Sequence, residues 1–188
     1  MKDLDRYIRK MHRCEVPSRF TNRVMIDGGY HKGLYTKAFR YRNTGFRTYA
    51  FDPIIRDNPR CRREAIWIYD GKVNLNIGRT DDASSILSVR GLTDTTITVP
   101  CIDFSKWLSI NFSTRDYIHL KLDIEGAEYR VLDKMMKDGS IALISELVCE
   151  WHLRHFKIGD RRELVKIHDK LKTGLKTCRN ITWLQDWF

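Results

Sequence analysis

Lys121, Asp123 and Glu125 are the residues of this 188-residue chain whose types and spacing most directly suggest chemistry. They stand in residues 118–128, Ile-His-Leu-Lys-Leu-Asp-Ile-Glu-Gly-Ala-Glu, where apolar and polar positions alternate as in a strand. On that period His119, Lys121 and Asp123 share one side, and Leu120, Leu122 and Ile124 the other. Charge is costly inside a sheet, so Lys121 and Asp123 belong near the strand's C-terminal end, where open α/β sheets carry their ligand crevice. Glu125, just beyond, can point into the same crevice. Carboxylates so placed could take a proton from an alcohol, hold an amino group or gather a hard cation.

A second segment with chemical content is residues 24–33, Val-Met-Ile-Asp-Gly-Gly-Tyr-His-Lys-Gly. An apolar run ends at Asp27 and turns through Gly28 and Gly29 into a helix that opens after Gly33. Gly29 permits a sharp bend and a close ligand approach, and Gly33 permits tight helix-on-sheet packing. The spacing Asp-x-Gly-x-x-x-Gly lacks the Gly-Lys-Ser/Thr of a phosphate loop and the Gly-x-Gly-x-x-Gly of dinucleotide binders. An acidic loop suits a positively charged ligand without phosphates, and S-adenosylmethionine carries a sulfonium and an amino group. Asp52, ending the following strand, stands where a carboxylate would reach the two hydroxyls of a ribose; Asp52-Pro53 could also simply start a turn.

The elements that must position these groups follow from periodicity. Residues 3–13 predict an amphipathic helix through Leu4, Tyr7, Ile8 and Met11. Strands are predicted at 23–26, 47–51, 65–69, 95–102, 117–124, 141–148 and 181–184, with Asp70-Gly71 as a hairpin turn ahead of Val73, Leu75 and Ile77. Helices are predicted from residue 34 to about 43, at 104–108, at 128–136 and at about 161–172. Strands alternating with helices imply a mostly parallel twisted sheet covered on both faces, in a single domain. Residues 1–20 form its N-terminal helical extension, 22–150 its core and 151–188 its closing, substrate-side elements.

Composition narrows the function classes. A hydrophobic fraction of 42% and no long apolar run give a globular protein without a predicted membrane span, expected in the cytoplasm. Five scattered cysteines without a Cys-x-x-Cys pair imply reduced thiols rather than disulfides or a zinc ribbon. Cys149, His152 and His155 lack a fourth metal ligand at useful spacing. His12, His119, His155 and His168 read as ordinary core or surface positions. The net charge of +10, with Arg56, Arg60, Arg62 and Arg63 around Pro59 and with Arg161 and Arg162, suits an anionic partner or a solvated surface. Nucleic acid is the minority reading, since no RNA-binding aromatic motif accompanies the charge.

The two segments together resemble the FkbM family of S-adenosylmethionine-dependent methyltransferases. Lys121, Asp123, Glu125, Gly126 and Glu128 match its Lys-x-Asp-x-Glu-Gly-x-Glu segment; Asp27, Gly29, Gly33, Tyr35 and Thr36 match its glycine loop. Ala50-Phe51-Asp52-Pro53 matches the family's strand end, with Asp52 for the commoner Glu, and Ser84-Ser85-Ile86 and residues 99–103 match the connecting stretch. Gly29-Tyr30-His31 departs from the commoner Gly-Ala-Asn. The resemblance spans roughly residues 22–150 and implies a Rossmann-like class I methyltransferase fold. It also implies methyl transfer to an oxygen, most simply a hydroxyl of a sugar, sugar nucleotide or glycan. Cofactor binding is expected at Asp27, Gly28, Gly29, Tyr30, Gly33, Tyr35, Thr36, Asp52, Pro53 and Ser85. Asp123 is the first choice as general base, followed by Glu125 and His152, with Lys121 tuning Asp123; alternatively Asp123 holds the methionine amino group and Glu128 caps its helix. A divalent metal is not expected; if one is bound, Asp123, Glu125 and Glu146 would gather it. The alternatives are an RNA ribose O-methyltransferase and a non-catalytic S-adenosylmethionine-binding module.

Overall fold

The computed structural model describes residues 2–55, 58–80, 83–89, 91–156, 158–178 and 182–185. Arg56 of the predicted basic cluster and Ile181 of the predicted last strand lie outside them. Six strands form one parallel sheet: β1 (Asn22–Gly28), β2 (Arg47–Phe51), β3 (Cys61–Arg62), β7 (Asp116–Leu122), β8 (Glu146–Cys149) and β9 (Thr182–Gln185), in the order β3-β2-β1-β7-β8-β9. The chain builds outward from β1 to β3, then crosses to the other side of β1 and builds outward again. That reversal places a topological switch point between β1 and β7, the position at which doubly wound sheets open a ligand crevice. The Rossmann-like expectation holds.

The sheet is buried on both faces because its residues alternate between two apolar layers. Val24, Ile26, Ile118, Leu120, Leu122 and Leu147 join a core with residues of α3 (Phe104–Asn111), α4 (Glu128–Asp138) and α5 (Ile158–Thr177). Met25 and Val148, on the other face, pack with Met11 and with Tyr35, Ala38 and Phe39 of α2 (Leu34–Arg42). Leu4, Tyr7 and Ile8 of α1 (Lys2–Lys10) close this second layer, at the spacing their periodicity predicts.

Two local expectations change. Asp70-Gly71 does not turn a hairpin, because β4 (Ala65–Trp67) and β5 (Gly71–Gly78) do not pair with each other. Both flank β6 (Leu92–Asp103), β4 in parallel and β5 antiparallel, in a separate three-stranded sheet. Asp70 instead accepts the Asp103 N–H (3.0 Å) and the Lys106 ammonium (2.6 Å) at the start of α3. The strand predicted over 141–148 is a 3₁₀ turn, Ser140–Leu143, followed by the shorter β8. The small sheet matters for the site: it roofs the crevice above the ends of β1 and β2.

Candidate active site

A cleft of about 350 Å³ opens at the switch point. Gly29, His31, Asp52 and Pro53 wall it from the ends of β1 and β2; Asp123, Ile124, Glu125 and Glu150 wall it from the ends of β7 and β8. Ile66, Leu75 and Ile86 roof it with apolar surface, and Tyr7 reaches it from α1. A smaller recess of about 60 Å³ shares Tyr7, Gly29, His31, Asp123 and Glu150, and extends to Tyr30, Tyr35 and Lys121. Among the described residues no lysine or arginine lines the larger cleft, whose charged wall is Asp52, Glu64, Asp123, Glu125 and Glu150. Such a wall repels phosphate and favours a cation.

The glycine loop is held from below. Gly29 sits at φ 78° against the end of β7, and a Cβ there would collide with the carbonyl oxygen of Asp123. Gly33, at φ 65°, lies under the ring of Tyr30, which fills the space a side chain would need. Gly28 sits below, its carbonyl accepting the Asp123 N–H at 3.1 Å. Asp27 is fully buried, accepting the Thr36 hydroxyl at 2.6 Å and facing the Lys121 ammonium at 3.2 Å. Asp27 and Thr36 therefore support the loop without forming its wall. Lys121 Nζ also donates to the Gly29 carbonyl (2.7 Å) and lies 3.2 Å from Asp123. Burial works against the Lys121 charge, but Asp123 and Asp27 outweigh it and raise its proton affinity above the ordinary value.

Two non-glycine residues on the cleft wall adopt left-handed backbone, His31 (φ 46°) and Glu125 (φ 52°). Asn tolerates that region better than most residues, which accounts for the commoner Asn at the His31 position. His31 is pinned by its N–H donating to Asp52 Oδ2 at 2.9 Å. Asp52 Oδ1 accepts from the N–H groups of Ile54 (3.0 Å) and Ile55 (3.3 Å), so the same carboxylate starts a turn and faces the cleft. Glu125 is pinned by Ser85, whose hydroxyl donates to the Glu125 carbonyl at 2.6 Å. Ser85 is fully buried and supports that turn; its neighbours Ser84 and Ile86 reach the cleft in its place.

His152 organises the carboxylates. Its Nδ1 lies 3.0 Å from Glu128 Oε1, and its Nε2 lies 3.3 Å from Glu125, 3.6 Å from Asp123 and 3.7 Å from Glu150. Burial disfavours its charge, but bonds to Glu125 and Glu128 push its pKa up to about 11. These carboxylates favour the charged imidazolium, which places His152 among them as a counter-ion. Glu128 also accepts the Ile124 N–H (2.8 Å), fixing the turn between β7 and α4. Glu150, which sequence reasoning missed, lies in both cavities; burial first, then the nearby charge of Asp123, pushes its pKa up to about 7. Its only sequence signal was its place directly after the apolar run 147–149 that ends β8.

The metal expectations also rearrange. Glu146 does not join Asp123 and Glu125: it points under α2, where Oε2 meets His119 and His12. Cys149 is buried in the apolar core, whereas His152 and His155 come together with Glu125. Asp123, Glu150 and His152 are near enough to share a cation, as are Glu125, His152 and His155.

Among curated proteins and solved structures, none gives a significant match to the chain. A family model does, covering the glycine loop, the acidic strand end and most of α5. That model describes the FkbM methyltransferase domain and matches residues 27–173, so the chain belongs to the FkbM methyltransferase family.

Proposed function

We propose that the chain is an S-adenosylmethionine-dependent O-methyltransferase acting on a hydroxyl of a sugar or glycan. The observation that carries this reading is the acidic cleft at the switch point, with Glu150 lining both of its cavities; burial raises the proton affinity of that carboxyl. The residues present fit the donor: Asp52 would hold its ribose hydroxyls, Gly29 lets the nucleoside approach the backbone, and Asp123 and Glu125 face its cationic end. When bound, S-adenosylmethionine supplies an electrophilic methyl group on sulfur. An alcohol is a weak nucleophile at neutral pH, so a group that takes its proton accelerates attack.

Glu150 is the better proton acceptor than Asp123. Asp123 Oδ2 already faces the Lys121 ammonium at 3.2 Å, whereas His152 Nε2 lies about equally far from Asp123 (3.6 Å) and Glu150 (3.7 Å) and does not separate them. Glu150 is half-buried, faces both cavities and has the proton affinity that general-base catalysis near pH 7 rewards. Lys121 and His152 hold the surrounding carboxylates in place, so the site aligns its reactants without rearranging. Tyr7 offers an aromatic surface on which a sugar ring can pack.

Calorimetry with S-adenosylmethionine and S-adenosylhomocysteine tests the donor site, and labelled methyl transfer to neutral glycans, sugar nucleotides and RNA, read by mass shift, tests the acceptor. Methylation confined to RNA would replace the carbohydrate reading. Binding without transfer to any acceptor would favour a non-catalytic module, and absence of binding would end the proposal.

A further inference from the structure

His12, Cys14, His119 and Glu146 converge beneath α2 from three separate parts of the chain. His12 and Cys14 follow α1, His119 lies in β7 and Glu146 opens β8. Glu146 Oε2 lies 3.1 Å from His12 Nε2, 2.7 Å from His119 Nδ1 and 3.2 Å from Cys14 Sγ; Cys14 Sγ lies 3.7 Å and 4.0 Å from the two imidazole nitrogens. The four ligand atoms all lie within 4.8 Å of one another. Bond lengths of about 2.0–2.3 Å around tetrahedral zinc put ligand atoms roughly 3.3–3.8 Å apart; the separations here, 2.7–4.0 Å, bracket that range, so an ion needs Glu146 to draw back by several tenths of an ångström from its hydrogen-bonded neighbours. His119 and Glu146 are buried, and His12 and Cys14 are partly exposed, leaving a path for an ion to enter.

We infer that these four side chains form a structural zinc site, separate from the carboxylate cluster of the cleft. One thiolate, two imidazoles and one carboxylate make a closed four-ligand set of borderline softness, which suits Zn²⁺ and leaves no open position for chemistry. On binding, the Cys14 thiol gives its proton to solvent and the sulfur lone pair forms the Zn–S bond. Thiolate and carboxylate together neutralise the ion. The supporting shell is in place: His119 Nε2 lies 2.7 Å from the Tyr35 hydroxyl, which can accept its N–H once Nδ1 holds the metal. Asn43 grips the ligand-bearing segment from the end of α2, accepting the Cys14 N–H at 2.8 Å and donating to the His12 carbonyl at 3.1 Å. Zinc here clips the segment after α1 onto β7 and β8, and so fixes the helix that brings Tyr7 to the cleft.

The test uses the full chain reconstituted with Zn²⁺ and, separately, with Co²⁺. The expected result is about one equivalent of Zn²⁺ per chain by elemental analysis, with a thiolate-to-metal charge-transfer band in the Co²⁺ form. Cys14→Ser and His12→Gln should each weaken Zn²⁺ binding at least about 10-fold, and chelation should lower the melting temperature until Zn²⁺ is restored. Failure of the wild-type chain to retain Zn²⁺ overturns the assignment. So does a Co²⁺ spectrum without the thiolate band, which would place the ion among carboxylates. Should Cys14→Ser not fold, the wild-type cobalt spectrum decides alone.

Discussion

Replacing Glu150 by glutamine should separate stability from catalysis in a pH-dependent way. The Glu150 carboxyl is raised from its ordinary 4.5 to about 7, chiefly by burial and then by Asp123. A carboxyl held high costs the folded state nothing below pH 4.5, where folded and unfolded chains both carry the proton. The cost grows as pH rises from 4.5 towards 7, because the unfolded chain releases its proton first, and it is fully present above 7. The full difference corresponds to roughly 3 kcal/mol for a group sealed from water. Glu150 is only half-buried, and solvent screening reduces this to about 1–2 kcal/mol. Glu150→Gln, isosteric and uncharged, should therefore melt about 2–6 °C above wild type at pH 8.5 and at the same temperature at pH 4.5. Methyl transfer should fall by about 10²–10⁴-fold, with donor affinity by calorimetry largely kept. The wild-type rate should rise with pH through about 7 and then level off, as Glu150 ionises. A melting difference independent of pH would show that the carboxyl is not held in its neutral form. A variant with full activity would remove Glu150 from the chemistry.

Three further outcomes follow from the same geometry. Asp52→Asn keeps one oxygen for the Ile54 and Ile55 amides but sets an amide NH2 against the His31 N–H and loses the charge facing the ribose, so calorimetry should show donor binding weakened at least about 10–100-fold. Gly29→Ala forces a side chain into left-handed backbone and against the Asp123 carbonyl; denaturant melts should show a loss of at least about 2 kcal/mol, with donor binding abolished. Lys121→Met strands the buried Asp27 carboxylate and should cost about 3–5 kcal/mol in chemical denaturation, while adding Asp27→Asn should recover a large part of it.

What the sequence made legible was local. The β1–loop–α2 unit, the strand ending at Asp52 and the strand carrying Lys121 and Asp123 each announce themselves by spacing within a dozen or so residues, and their order implied the parallel sheet. Non-local pairing was not legible. Asp70-Gly71 has the composition of a hairpin turn, yet β6 inserts between the strands it joins, and nothing near residue 70 encodes that partner. Glu146 looked like a companion of Asp123 because both carboxylates accompany strands. Register instead sets Glu146 opposite His119, two residues earlier on β7 than Lys121, and so under α2. His152 carries no local mark of its raised proton affinity, which comes from Glu125, in the turn after β7, and Glu128, at the start of α4.

The cleft's rigidity comes from pairing each strained residue with a side chain from elsewhere. His31 and Glu125 both line the cleft in left-handed backbone, a conformation costing of order 1–3 kcal/mol apiece. Asp52 from β2 ties down the first through its N–H, and Ser85 from beside β5 ties down the second through its carbonyl. Lys121 then links the two sides, bonding the Gly29 carbonyl of one loop and facing Asp123 of the other. None of these supports needs a bound ligand to form. On the proposed function, lining up a hydroxyl with a donor methyl group would then need little rearrangement, since the groups around the cleft are already held in place. The same logic explains why Asp27, Thr36 and Ser85 sit behind the wall of the cleft: they spend their polar groups holding the residues that line it.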